Sequence, residues 1–253
     1  MVVVLAAALA GAWLRHEGAR PVTVEQAQNR AGPISTLAPG DNRPRPGVYL
    51  YSGTGEDRLS LPPLSQAQGP TMPATVTAGR SGCWSLRIDY STHHWQSWDY
   101  CWQGPDMVQT GGRFWQLWNV GPFSITNLTS LTCSPPAMVL PADPKPGRTW
   151  ATSCGGTSTA VSGRMQSAGT LTYLGRVGVT VGGRTVQADH FLLTRTDSGS
   201  QQGTERYESW LAPGSGLPLQ LHQSISVTTH TPFGQSDYTQ NGTLTLTSLQ
   251  PSG

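Results

Sequence analysis

From Gly47 onward, apolar and polar residues alternate singly in short runs, the period of a strand with one buried face. GVYLYS opens the pattern. TMPATVTA and the stretch from Thr110 to Thr132 continue it, each rich in Val, Thr, Tyr or aromatic residues. Directly after GVYLYS, GTGEDR reads as a turn. The C-terminal third is the cleanest: LTYLGRVGVTV, then GG, then RTVQADHFLLTRT predicts a hairpin whose Gly182-Gly183 turn needs positive φ. TERYESWLA, LPLQLHQSISVTT and YTQNGTLTLTSL follow, separated by PGSG and PFGQSD, so five consecutive strands form a meander. Leu217-Pro218-Leu219 fits a strand start, where proline is tolerated. The one helical prediction is short, Thr23 to Arg30, with Thr23 as its cap. The fold class is therefore mainly β: a single curved antiparallel sheet or open (half) barrel with little helix.

The pattern before Gly47 is different. Val2 to Leu14 is apolar throughout. At ~1.5 Å per residue this stretch covers about 20 Å, short of the ~30 Å hydrocarbon core. It reads as a signal peptide or membrane anchor over 1–14. Residues 15–46 contain the helix and then AGPISTLAPGDNRPRPG, dense in breaker residues, and form a linker. Residues 47–251 are the β-rich extracytoplasmic domain.

Composition sharpens this picture. Charged residues are 12% of 253, and Gly 30 and Pro 20 suit many strands joined by turns. The formal charge is +2, with basic residues scattered singly, which excludes a phosphate-tracking face and hence nucleic acid as a partner.

Four cysteines occur at 83, 101, 133 and 154. An even count in an exported chain predicts two disulfides, and the close-paired spacing of zinc ligands is missing. The stretch GCWSLRIDYSTHHWQSWDYCW settles the first bond by pairing arithmetic. If the chain folds back around Thr92, facing residue numbers sum to 184: Cys83 meets Cys101, Trp84 meets Tyr100, Leu86 meets Trp98, and Tyr90 meets His94. Facing Cα atoms lie about 4.5–5.5 Å apart, within a disulfide's reach. Cys133 then pairs with Cys154 across the Pro-rich SPPAMVLPADPKPG.

In this register His93 and His94 sit at the hairpin tip and point different ways, as solvated or locally bonded side chains, and no metal ligand set is predicted. No nucleophile elbow, phosphate loop or dinucleotide fingerprint occurs, so no cofactor is implied. Glu56 and Asp57, with Glu205 and Glu208, are candidate carboxylates for glycoside chemistry. Their residue types usually mean solvated positions. His190 beside Asp189, and His222, are weak seeds for a triad. The nine tryptophans fill a core or line a groove. If a ligand groove exists, Trp84, Trp98, Tyr100 and Trp102, on the even-numbered face of the stapled hairpin, line it.

The run ESWLAPGSGLPLQLHQSISVTTHTPFGQSDYTQNGTLTLTSLQP resembles the final strands of bacterial envelope proteins with a LolA/LppX-like open barrel. GVYLYSGTGE and the GCW…YCW hairpin are similar to uncharacterised secreted or membrane-anchored envelope proteins of high-GC Gram-positive bacteria. The resemblance spans roughly residues 45 to 251 and implies a curved sheet around an apolar cavity for acyl chains. It carries no catalytic residues. The chain departs from that family in its two disulfides, its lack of a lipid-anchor cysteine and its lack of a helical lid. The expectation is a non-catalytic extracytoplasmic domain, membrane-anchored or secreted. It binds an apolar, lipid-like envelope ligand or a cell-envelope partner, and contacts the membrane through its N-terminal segment. The alternatives are an envelope glycan hydrolase using Glu56, Asp57 or Glu205, and a structural or interaction module.

Overall fold

A computed structural model describes residues 20–31, 42–80, 82–120, 123–231 and 234–252. The signal or anchor expected over 1–14 lies outside these residues. The described chain forms one helix, α1 (Val24–Ala31), and thirteen strands. They are β1 (Gly47–Leu59), β2 (Leu64–Gln68), β3 (Thr71–Ala78), β4 (Cys83–Ser91), β5 (His94–Gln103), β6 (Asp106–Val120) and β7 (Phe123–Leu140). The rest are β8 (Thr149–Ser158), β9 (Arg164–Val181), β10 (Arg184–Gly199), β11 (Gln202–Leu211), β12 (Pro218–Thr231) and β13 (Gly234–Leu246).

Successive strands pair antiparallel from β3 to β13, and β1 lies between β3 and β13. Its pairing with β13 runs from Tyr51↔Leu246 to Leu59↔Tyr238. Twelve strands therefore close into a barrel, and β2 is the extra one. The sheet is mainly β and antiparallel as its alternation requires, but it is closed, not an open half barrel. Alternation fixes which face of each strand is buried and leaves open whether the two edges meet. Glycine makes the meeting possible here: Gly55 faces Gly242 across the seam, and a Cβ on Gly53 would collide with the Thr243 carbonyl.

β1 is long enough to hold two partners on its other edge, β3 along Gly47–Ser52 and β2 along Gly55–Leu59. GTGEDR is thus the middle of a strand paired on both sides, not a turn. The β4–β5 hairpin keeps the predicted register from Cys83↔Cys101 to Asp89↔Trp95. It then bulges at Tyr90, so that Ser91 pairs with His94 and the Tyr90 ring stacks on His94 at 4.8 Å. Both disulfides, Cys83–Cys101 and Cys133–Cys154, are formed. The first half of the Pro-rich excursion after Cys133 is the end of β7, irregularly paired with β6. Gly182-Gly183 turns β9 into β10, and β12 starts at Pro218.

α1 opens with a capping box: Gln26 N donates to Thr23 Oγ1 (3.1 Å) and Thr23 N to Gln26 Oε1 (3.0 Å). It lies on the barrel wall through buried Ala27 and an Arg30–Asp89 ion pair of 2.9 Å.

One end of the barrel is plugged. Tyr49, Tyr51, Met72, Leu86, Phe191 and Leu244 are fully buried there, and the β11–β12 connection folds over Met107 at Gly216. An eight-stranded barrel is just filled by its own side chains, and a twelve-stranded one has room to spare. That room is at the opposite end, called the mouth here, where β1, β4, β6, β8, β10 and β12 finish.

Candidate functional site: the barrel lumen

The inward positions change from apolar to polar halfway up the barrel. Asp57, turned in from β1, is 1% exposed and collects three donors. These are Gln68 Nε2 at 2.9 Å, His94 Nδ1 at 2.8 Å and the Tyr238 hydroxyl at 2.9 Å. Tyr238 also accepts from Gln116 and lies 3.1 Å from Gln240 Oε1. Gln96 Nε2 donates to the same Gln240 oxygen at 2.8 Å, and the Tyr90 hydroxyl lies 3.2 Å from both Gln96 and Gln223. This belt ties β1, β2, β4, β5, β6, β12 and β13 together inside the barrel. Burial raises the Tyr90 and Tyr238 hydroxyls far above their ordinary range, so both stay protonated donors.

Across the lumen stands a second polar group. Phe191, Leu193, Arg195 and Asp197 share one face of β10, and Glu205 of β11 directly faces Arg195. All three charged side chains are at least nine-tenths buried. Arg195 leans towards β8 and β6, with Nε 3.3 Å from Thr152 Oγ1 and an η nitrogen 3.5 Å from Gln109 Oε1. Burial, reinforced by the Asp197 charge, pushes the Glu205 carboxyl up to about 7 against the pull of Arg195. Burial also raises Asp197, and nearby Ser167 and Arg195 offset only part of it. Neither Asp197 oxygen has a hydrogen-bonding partner within 3.5 Å.

Two cavities meet at this group. The larger, about 240 Å³, runs from the mouth down to Asp197 and Glu205, between apolar walls that include Leu59, Phe114, Trp118, Ile225 and Val227. It reaches the surface between Leu61 and Ile125, which are 44% and 43% exposed. The smaller, about 80 Å³, continues towards the plug past Phe114, Glu205 and Tyr207 to Trp98, Tyr100 and Leu171. The arrangement is a blind apolar tube with carboxylates at its waist. It offers shape, apolar area and buried acceptors, with the Ser167 hydroxyl beside the two carboxyls. Among the described residues no group of His, Cys, Asp and Glu could hold a metal ion.

The residues expected from sequence fall into three places. Trp98 and Tyr100 line the inner cavity, whereas Trp84 (2% exposed) and the half-buried Trp102 pack at the plugged end. His93 stays in the β4–β5 turn, but His94 is 1% exposed and bound to Asp57, not solvated at a tip. Its burial follows from the bulge at Tyr90, which draws the hairpin end under β2. Glu56 points outward to Arg58 at 2.7 Å while Asp57 points inward, so adjacency in the chain puts this carboxylate pair on opposite faces of the wall. Neither Asp57 nor Glu205 is solvated.

Asp189 pairs with Arg176 (2.9 Å) and Tyr173 (3.0 Å), not with His190. His190 instead bonds Glu208 at 2.9 Å and stacks on Trp210 at 4.3 Å, and His222 meets the other side of Trp210. Arg195 and Asp197 were missed by sequence reasoning. The available signal was parity: both stand two and four residues beyond Leu193, in phase with the buried face.

No protein-family model matches the chain, and no curated protein is significantly similar to it. Among solved structures, the hypothetical lipoprotein YmcC from Escherichia coli (K12) is similar at 10% identity and a TM-score of 0.31. The alignment covers 87% of this chain and 96% of that one. At that level of overlap, function must be argued from the lumen's own chemistry.

Proposed function

We propose that the protein is a non-catalytic extracytoplasmic binding module whose lumen takes one apolar, lipid-like molecule. One observation carries this reading: an apolar cavity of about 240 Å³, open at the mouth, ends on the buried Asp197 carboxylate, whose oxygens have no hydrogen-bond partner within 3.5 Å. A buried polar atom left unpaired costs about 1–3 kcal/mol, so a ligand head that donates hydrogen bonds is favoured at Asp197 and Glu205 while its chain occupies the mouth chamber. The volume, near the low end of ligand pockets, suits a slender chain better than a bulky ring system. Two disulfides support an oxidising, extracytoplasmic setting. The expected apolar cavity thus recurs, with its waist at Asp197 and Glu205, residues outside the Trp84, Trp98, Tyr100, Trp102 set.

Native mass spectrometry of the full chain, purified gently from its host, tests the reading. A bound mass of lipid size that disappears in Val227→Trp, with both disulfides and the far-ultraviolet spectrum retained, is the expected result. A clean apo mass, together with no displacement of a neutral naphthylamine probe by added lipid, refutes it.

The Glu205 carboxyl near 7 beside Asp197 favours a second reading, acid–base hydrolysis of an envelope glycan. Glu205→Gln separates the two. Hydrolysis would vanish while the co-purified mass persisted.

A further inference from the structure

The two ends of the barrel differ in charge. Four described connections face the mouth: 60–63, 92–93, 159–163 and 200–201. None contains Asp, Glu, Lys or Arg. The connections at the plugged end carry Arg80, Asp143, Lys145 and Arg148, while charges that open strands occur at both ends, Asp106 and Arg184 at the plugged one and Arg164 at the mouth. Soluble loops ordinarily carry charge, so four uncharged connections at one end ask for an explanation.

The mouth rim is also apolar where it is most exposed. Phe123, which opens β7 at the mouth, is 73% exposed, and Leu61 and Ile125 line the cavity entrance. The other exposed large apolar side chains do not gather this way. Leu174 and Val177 flank Arg176 on the wall, and Leu249 lies near the C-terminus.

A third observation concerns the chain's route. Arg20, where the described N-terminal stretch begins, accepts a hydrogen bond from Thr92 N (3.0 Å) in the mouth-side β4–β5 turn. The described chain therefore enters on the mouth side of the barrel, and in sequence the apolar stretch ending at Leu14 is six residues earlier.

We propose that the barrel docks mouth-first on a lipid bilayer, with Leu61, Phe123 and Ile125 entering its interfacial layer and the lumen opening towards the lipid. The wall itself does not span. Its outward positions on β12 and β13, such as Gln220, His222, Ser224, Asp237, Thr239 and Asn241, are polar, the reverse of a lipid-facing surface. The rim carries no cluster of basic residues, so docking is set by apolar contact and changes little with salt. This inference does not depend on whether the lumen carries a ligand.

The test uses the full chain in nanodiscs of phosphatidylcholine with a quarter phosphatidylglycerol. Nitroxide labels are placed at Ser162→Cys beside the mouth and at Lys145→Cys at the plugged end, both exposed in the fold. Collision with oxygen relative to a water-soluble nickel chelate should be several-fold greater at the mouth label. The ratio should be unchanged by 0.5 M salt or by pure phosphatidylcholine, and should fall to the value at the plugged end when Phe123→Glu and Ile125→Glu are combined. Equal water exposure of the two labels overturns the proposal, whether or not the chain is retained on the disc. Spin–spin broadening confined to the mouth label also overturns it, since a second copy would then be the occupant.

Discussion

Replacing Glu205 by glutamine keeps the side-chain shape and removes the ionisable group. A carboxyl that titrates at about 7 in the fold and at 4.5 when solvated takes up its proton more readily folded than unfolded. Below pH 4.5 both states are protonated and the site is neutral to stability. As the pH rises from 4.5 towards 7 the unfolded chain ionises first, and folding stability falls by about 1.4 kcal/mol per pH unit. The loss is complete just above pH 7, at about 3 kcal/mol. Glu205→Gln lacks this penalty. Its advantage over the parent should be near zero at pH 4.5 and about 3 kcal/mol at pH 8, or about 6–12 °C in Tm for a domain of this size. Urea unfolding of both proteins from pH 4.5 to 8.5, disulfides intact, reads the difference, and groups that do not interact with Glu205 cancel. Asp197, raised by the same burial, leaves a residual slope of the same sign in the variant. Parallel stability curves, or a variant less stable at pH 8, would show that Glu205 is ionised and satisfied in the fold.

Asp57→Ala strands three buried donors, from Gln68, His94 and Tyr238, and should cost about 3–5 kcal/mol by denaturant unfolding, while outward Glu56→Gln stays within about 0.5 kcal/mol. Non-reducing peptide mapping should find Cys83 joined to Cys101 and Cys133 to Cys154. Cys83→Ser with Cys101→Ser should lower stability by about 3 kcal/mol for a loop of that length. Gly53→Ala puts a methyl group against the Thr243 carbonyl at the seam, so it should cost several kcal/mol. Amide exchange should rise first along β1 and β13, and uniform exchange across the barrel would contradict the seam's role.

The strands were readable because alternation is a local signal. The pairing of Cys83 with Cys101 was readable because a hairpin register is arithmetic on one short segment. What escaped depended on distant contacts. GTGEDR has the composition of a turn, yet β13 on one side and β2 on the other supply a full set of ladder partners and hold it extended. Asp57 and His94 lie 37 residues apart, and each has the residue type of a solvated position. The curl of the sheet from β1 to β5 brings them together and buries both. The lumen waist was legible only in part: parity puts Arg195 and Asp197 in phase with Leu193, but their contacts with Gln109 of β6 and Thr152 of β8 come from strands distant in sequence.

Closure also explains why the lumen holds so much polarity. Twelve strands enclose more volume than their inward side chains fill, and a purely apolar lining around that space would leave side chains without contacts on one side. Long amides bridge the gap: Gln68, Gln96, Gln223 and Gln240 reach inward and bond to one another's neighbours, bracing the wall by directional contacts instead of by close packing. The brace surrounds Asp57 and stops short of Asp197, where the mouth chamber begins. A molecule entering through the mouth meets apolar walls first and the Asp197 and Glu205 carboxyls last, an order that favours an apolar chain with a hydrogen-bond-donating head, inserted head-first.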